Sequence, residues 1–317
     1  MHNKKNIFSL IILVMFLLFL GRTALAFSGK EKYEEKFEKS VALAKDGKVI
    51  LKNISGDIEV KSWDKNEVKI NALKISRASS LAQAEENAKK VEIEVLKEDN
   101  VLRISTKYPK SPFRSLNVSI DYNLLIPAEA AIKIKSVSGD VSLTEIGGSV
   151  ETDTVSGDIE VSGVSKGVEC KAVSGDLTMT DISGSLYLKA VSGDIDLRRI
   201  KGSVEAETVS GEIDLKNISE AQTVRAKSLS GEVTYDGRLK ADGKYELKSH
   251  SGDIRMIIPA ESAFDFEAET FSGSIDSEFA IVVSGKISRK EIRGSVNGGG
   301  ADIKLSTFSG DISLEKK

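Results

Sequence analysis

The sequence predicts an all-β chain: a parallel β-solenoid with about 18 residues per coil, plus one short helix in an N-terminal cap region. Three observations predict it. Val-Ser-Gly-Asp, or Val-Ser-Gly-Glu, returns every 18 residues, starting at Val137, Val155, Val173, Val191 and Val209. Apolar side chains recur in the same slots of each repeat and alternate with polar ones, which is the strand period. Counting the residue before Ser-Gly as slot 1, every repeat also carries glycine at slot 3.

The chain opens with a targeting segment. Lys4 and Lys5 precede the apolar run Ile7–Leu20, and Ala24-Leu25-Ala26 has the small residues of a cleavage site. Fourteen apolar residues fall short of the roughly 20 that span a bilayer as a helix. No Cys follows the run, which excludes lipid attachment there. Residues 1–26 therefore read as a cleavable signal peptide, with no stable membrane span afterwards. The expected location is the periplasm, cell envelope or extracellular space.

Residues 27–130 read as a strand and helix cap region holding one early coil, "ISGDIEVKSW" at Ile54. With one extra residue near Asn66, Val68, Ile70 and Ala72 would fill slots 14, 16 and 18 of that coil. "SSLAQAEENAKKV" is the one convincing helix, with Ser80 and Gln83 at capping-box spacing. "VEIEVLKEDNVLRIST" follows as a hairpin turning at Glu98–Asn100.

Residues 131–317 read as the repeat array. After the five evenly spaced repeats, further starts fall at Leu229, His250, Phe271 and Phe308, the Phe271–Thr307 stretch reading as an expanded last coil. The turn motif is Ser138-Gly139, Ser156-Gly157, Ser174-Gly175, Ser192-Gly193 and Ser210-Gly211. Slots 5 and 7 are apolar, as in Leu177/Met179 and Ile195/Leu197; slots 10, 14 and 16 follow, as in Ile182, Leu186 and Leu188. One such repeat cannot bury its apolar face, whereas stacked repeats share a core. "LLIPAEAAIKIKSVSGD" at 124–140 has an echo in "MIIPAESAFDFEAETFSGS" at 256–274. The competing arrangement is an antiparallel meander, which would need a cover that the sequence does not supply.

Composition narrows the function. Removing residues 1–26 takes away Lys4, Lys5 and Arg22 and no acid, so the net charge moves from −3 to −6. An acidic chain with interspersed signs is not a nucleic-acid binder, since phosphate contacts need clustered Lys and Arg. The lone Cys170 cannot form an internal disulfide and, at inward slot 16, reads as a small core residue. His250 is the one histidine left after the leader, at slot 1, where Val, Leu or Phe stand elsewhere; it reads as a partly buried structural residue. "GVSKG" at Gly163–Gly167 matches a nucleophile elbow by letters but lies between strands of a repeat. No catalytic or cofactor-binding residues are expected.

The acid at slot 4 forms a column through Asp140, Asp158, Asp176, Asp194, Glu212 and Glu232, about 5 Å apart in a solenoid. Turn chemistry accounts for it if each carboxylate accepts N–H groups of its own Ser-Gly turn. The sharper expectation is a cation ladder, with Ca²⁺ held between oxygens of adjacent coils. The repeat lacks the glycine-rich nonapeptide of calcium-binding β-rolls.

With "ISGDIEVKSWDKNEV", the Ile-Pro-Ala-Glu segment and the serial "VSGDIxV" units, residues 45–317 resemble the putative-adhesin family of exported bacterial β-repeat proteins, a domain of unknown function. The resemblance implies a cell-envelope or surface β-solenoid and transfers no catalytic residues. The expected function is a non-enzymatic scaffold whose outward slots, such as Glu151, Glu169, Lys171, Lys189, Arg198, Glu205 and Lys216, contact an envelope or extracellular polymer or protein. Two alternatives are a polysaccharide-acting β-helix enzyme and a self-assembling envelope protein joined through an uncapped end near Phe308–Leu314.

Overall fold

The computed structural model describes residues 30–109, 116–283, 288 and 290–317. The leader read from residues 1–26 lies outside them. Two sheets face each other across one continuous core, and each coil contributes one strand to each sheet.

The central array shows the rule. Sheet I holds β11 (Ile159–Val164), β13 (Leu177–Ser183), β15 (Ile195–Lys201) and β17 (Ile213–Ser219); sheet II holds β10 (Val150–Ser156), β12 (Val168–Ser174), β14 (Leu186–Ser192) and β16 (Val204–Ser210). All neighbours within these sets pair in parallel, in a register that advances one repeat per step: Leu177 opposes Ile195, and Cys170 opposes Leu188. Parallel pairing makes this a solenoid and rules out the meander, whose neighbours would be antiparallel. Slots 5 and 7 point inward from sheet I and slots 14 and 16 from sheet II, so Leu177, Met179, Leu186 and Leu188 are buried, with Ile182 at slot 10 closing the far turn.

That far turn contains a device with no glycine signature. Slot 9 is left-handed in successive coils, at Glu145 (φ 58°), Gly163 (φ 67°), Asp181 (φ 57°), Arg199 (φ 55°) and Asn217 (φ 56°). Side chains rarely adopt that conformation. Between two adjacent coils the slot 9 side chains pair: the Arg199 guanidinium donates to both Asp181 carboxylate oxygens at 2.6 and 2.8 Å.

Both ends depart from chain order. At the N-terminal end are β1 (Glu31–Ala42), β2 (Lys48–Lys52), β3 (Ile58–Trp63), β4 (Glu67–Ala78), α1 (Leu81–Lys89), β5 (Glu92–Glu98), β6 (Val101–Lys107), β7 (Val118–Pro127), β8 (Ala131–Ser138) and β9 (Val141–Thr144). The Ile54 coil, β2 and β3, is internal: it lies between β8 and β9 on one side and β6 and β7 on the other. The sequence reading missed the β6–β7 coil because its corner reads Ser119-Ile120-Asp121 and lacks the glycine. Val68, Ile70 and Ala72 are buried, but β4 runs antiparallel to both β1 and β7 in sheet I, so they do not occupy slots 14, 16 and 18. The chain turns back after Trp63, whose indole N–H donates to the Glu67 carbonyl at 2.7 Å.

Helix α1 forms as expected. Ser80 is its N-cap and accepts from the Gln83 N–H, while Ala84 and Ala88 are buried where the helix packs on β4 and β1. The β5–β6 hairpin turns at Asp99, which is left-handed. The heavily charged edge strand β1 protects this end of sheet I from pairing with another chain.

The C-terminal end has the mirrored solution. After β18 (Thr223–Ser230), β19 (Val233–Gly237), β20 (Lys244–Ser251) and β21 (Ile254–Ile258) come β22 (Phe264–Ser272), β23 (Ile275–Ser277), β24 (Val282–Val283), β25 (Glu291–Val296), β26 (Ala301–Ser309) and β27 (Ile312–Lys316). The final coil, β26 and β27, inserts between the His250 and Phe271 coils. Phe271–Thr307 is therefore not one expanded coil. It is an outer coil followed by the antiparallel strands β24 and β25. Phe308–Leu314 has a neighbouring strand on both sides and cannot serve as a free end.

Candidate functional site: the Ser-Gly-Asp corner and its exposed ridge

The corner between the sheets is where the repeat motif sits. Its glycine conformation carries backbone hydrogen bonding around the bend: Gly157 N–H donates to the Ser174 carbonyl at 3.1 Å and Ile159 N–H to the Asp176 carbonyl at 2.9 Å. Beneath the bend, slot 18 hydroxyls donate to glycine carbonyls one coil back, as Ser249 does to Gly231 at 2.9 Å and Thr307 to Gly252 at 2.9 Å. At the N-terminal end Asn53 does the same work, its amide reaching the carbonyls of Ser55, Gly56 and Ile120.

The slot 4 carboxylates bond across coils and not within their own turns. Asp140 accepts from the Asp158 N–H at 2.9 Å, Asp158 from Asp176 at 2.9 Å, Asp176 from Asp194 at 2.8 Å and Asp194 from Glu212 at 2.8 Å. The ladder starts further out than the sequence motif, with Asp121 accepting from Asp57 and Asp57 from Asp140. It resumes at Asp253, which accepts from Asp311, and ends where Asp311 accepts from Ser274. Glu212 and Glu232 interrupt it; the Glu232 carboxylate instead accepts from the Thr234 hydroxyl. A charge-assisted bond to each aspartate rung offsets the repulsion of stacked like charges. Among the described residues no group of three or more His, Cys, Asp or Glu is placed to hold a metal ion.

Slot 1 points out into solvent. Parity gives the reason: slots 14, 16 and 18 face the core, so slots 15, 17 and 1 face outward. Val173 is 49% exposed and Leu229 50%, and the column runs through adjacent coils from Ile54 to Phe271. His250 is accordingly exposed, correcting the expectation of partial burial, and it stacks on Phe308 with ring centroids 4.9 Å apart. Phe308 stacks in turn on Phe271 at 4.7 Å, and the Lys290 ammonium lies 5.6 Å from the Phe271 ring centroid. The result is a continuous ridge one side chain wide, apolar in every coil except that of His250.

Two charged columns flank the ridge. On the sheet I side stand the slot 4 acids, from Asp121 to Asp311, with no base among them. On the sheet II side, slot 17 carries Lys52, Lys135, Lys171, Lys189, Lys227 and Lys248, interrupted by Asp153, Glu207, Ser306 and Glu269. Between the lysine column and the ridge runs a shallow groove of about 710 Å³, floored by Ala172 and Ala190.

Other candidate chemistry disperses. Cys170 is fully buried, and burial pushes its thiol up to about 12. "GVSKG" runs off the end of β11 into the far turn, with no helix after it. The outward residues Glu151, Glu169 and Glu205 share one row on sheet II, and Lys171 and Lys189 the next. Arg198 and Lys216 share a row on sheet I. A second groove, of about 750 Å³, forms where β1 and β4 rise beside the array, with Phe37 and Leu73 facing Asp57, Asp121, Asp140 and Asp158. Sequence spacing could not show it, because β1 and β4 join sheet I antiparallel, from outside the repeat.

Fold and corner together define a two-sheet parallel β-solenoid assembled from serial Ser-Gly-Asp coils. The chain belongs to the Toastrack DUF4097 family, whose model matches residues 47–241 and again 238–315. Comparison with curated proteins gives no match. Among solved structures the chain is similar to a putative cell adhesion protein from Clostridium sporogenes (15% identity, 90% of this chain and 100% of that one, TM-score 0.26). It is also similar to a putative adhesin from Bacteroides fragilis (14%, 88% and 97%, TM-score 0.42) and a putative lipid binding protein from Parabacteroides distasonis (12%, 89% and 97%, TM-score 0.45). Among the described residues no helix is long and apolar enough to cross a membrane.

Proposed function

We propose that this protein is an exported, non-enzymatic adhesin-like scaffold that binds a repeating polymer of the cell envelope or its surroundings. One observation carries the reading: outward side chains stand in straight rows, one per coil, on two long faces. Glu151, Glu169, Tyr187 and Glu205 form such a row, adjacent in register through β10, β12, β14 and β16. A polymer laid along a row meets similar contacts at each step, and linked weak contacts add through effective concentration. Lys171 and Lys189 both lie within 5.5 Å of the Tyr187 ring centroid, giving the row an aromatic and cationic centre.

Co-sedimentation tests this. The chain without its leader is mixed with isolated cell walls, membranes and purified polysaccharides, with and without a chelator. Saturable binding to one fraction is the expected result, weakened by Tyr187→Ala. Loss of binding under chelator would turn the slot 4 column into a cation site, with Ca²⁺ held by its outer oxygens. Absence of binding to every fraction overturns the scaffold reading.

A further inference from the structure

We propose that the slot 1 ridge is a self-association surface, on which two copies of this chain pack side by side with their solenoid axes parallel. Isolated exposed apolar side chains are ordinary, but a contiguous patch marks an interaction site. From Ile54 to Phe271 the ridge crosses ten adjacent coils, and at about 4.8 Å per coil it is about 43 Å long. A strip of that length needs a width of only about 19 Å to reach the roughly 800 Å² per partner of a standard interface. Slot 17 to slot 4 spans five residues, at most about 17 Å along the backbone, so the ridge with its two flanking columns approaches that width.

The flanks select the occupant. One side of the ridge is acidic in every coil but that of Ser274. The other carries a net excess of lysine, although Lys135, Lys171, Lys189, Lys227 and Lys248 also pair within the chain with Asp153, Glu169, Glu207 and Glu246. A two-fold axis parallel to the ridge turns one copy onto the other and sets each acidic column against the partner's lysine column. An axis across the ridge makes the copies antiparallel and sets acid on acid, which is repulsive. The parallel arrangement also places each slot 1 side chain opposite its own counterpart, whereas the antiparallel one, equally isologous, would pair opposite ends of the ridge. An anionic membrane fits less well, because the acidic column would face its headgroups.

Sedimentation velocity on the chain without its leader, from about 1 to 100 μM, is the first test. A concentration-dependent dimer is expected, and Val155→Lys with Val191→Lys should raise its dissociation constant at least tenfold. Both side chains are about half exposed, so circular dichroism should be unchanged. Orientation is read by cross-linking. Ile54→Cys and Leu229→Cys, placed far apart on the ridge, should each cross-link to itself with a short bis-maleimide, while buried Cys170 stays silent. A monomer at every concentration overturns the proposal. So does a dimer that the lysine variants leave intact, or one in which neither cysteine variant links to itself. Vesicle binding by a monomer, lost in the lysine variants, would give the ridge to a lipid surface instead. Polymer binding in the co-sedimentation assay is read separately and can survive any of these results.

Discussion

A Cβ placed on Gly175 would lie 2.1 Å from the carbonyl oxygen of Gly157 in the adjacent coil. The same clash recurs along the column, and Gly175 also has φ +134°. The glycine of the motif is therefore required twice, by its own backbone and by the coil beneath it. Ile120 at the corner of the outermost coil is the informative exception. No further Ser-Gly-Asp coil lies beyond it, and its side chain is fully buried beside β4.

Gly175→Ala should lower stability by of order 1–3 kcal/mol from backbone strain alone, with the clash adding to it. Gly167→Ala is the control, since Gly167 is not left-handed and its nearest contact would be 3.3 Å away. Urea denaturation of both variants measures the difference. Equal midpoints would show that the corner is not tightly stacked.

Asp158→Ala removes the acceptor for the Asp176 N–H and should cost about 0.5–1.5 kcal/mol. Asp158→Asn keeps an acceptor oxygen and should cost less. If Asp158→Ala is as stable as the unsubstituted protein, the cross-coil bond contributes nothing measurable.

Leu188 and Leu229 separate core from ridge. Leu188 is fully buried and Leu229 half exposed. Leu188→Ala should cost about 2–5 kcal/mol through the cavity it leaves, whereas Leu229→Ala should leave monomer stability within about 0.5 kcal/mol. Thermal unfolding at low concentration, where association does not contribute, tests both.

Cys170 should resist thiol reagents in the folded chain at pH 8 and react fully once the chain is unfolded. Burial raises its pKa to about 12, so almost no thiolate forms and none is accessible. Rapid modification of native protein would contradict this placement.

Stability should fall on acidification. The hydrogen bond from Lys248 holds the Glu246 carboxyl below its ordinary value, and Arg255 does the same to Glu315. A carboxyl lowered on folding stabilises the folded state above its unfolded pKa of about 4.3, and that contribution is lost as pH falls through the folded value. The urea midpoint should therefore decline below about pH 4.3, with a smaller decline in Glu246→Gln. A midpoint that rises on acidification would contradict the sign.

The repeat made much of the fold legible. A period of 18 with two-residue alternation specifies a coil of two short strands, because each coil obeys the same local rules and contacts mainly its neighbours. Cys170, Leu188 and Leu177 could be assigned to the core by slot alone. The outward direction of slot 1 is equally present in the parity, which the expectation of a partly buried His250, drawn from its apolar counterparts, overlooks.

What the sequence by itself determined is this local grammar: strands, corners, the inward slots, α1 with its Ser80 cap, and the chain's acidic balance. Only the tertiary structure decided the order of coils at the ends, where the Ile54 and Phe308 coils each lie inside a later or earlier segment. It also decided where the slot 4 carboxylates bond and that the slot 1 column is one continuous ridge. The physical reason is range. Alternation and turn chemistry act over a few residues and can be read along the chain. Which coil stacks on which depends on pairing between strands tens of residues apart, and every coil offers the others nearly the same edge.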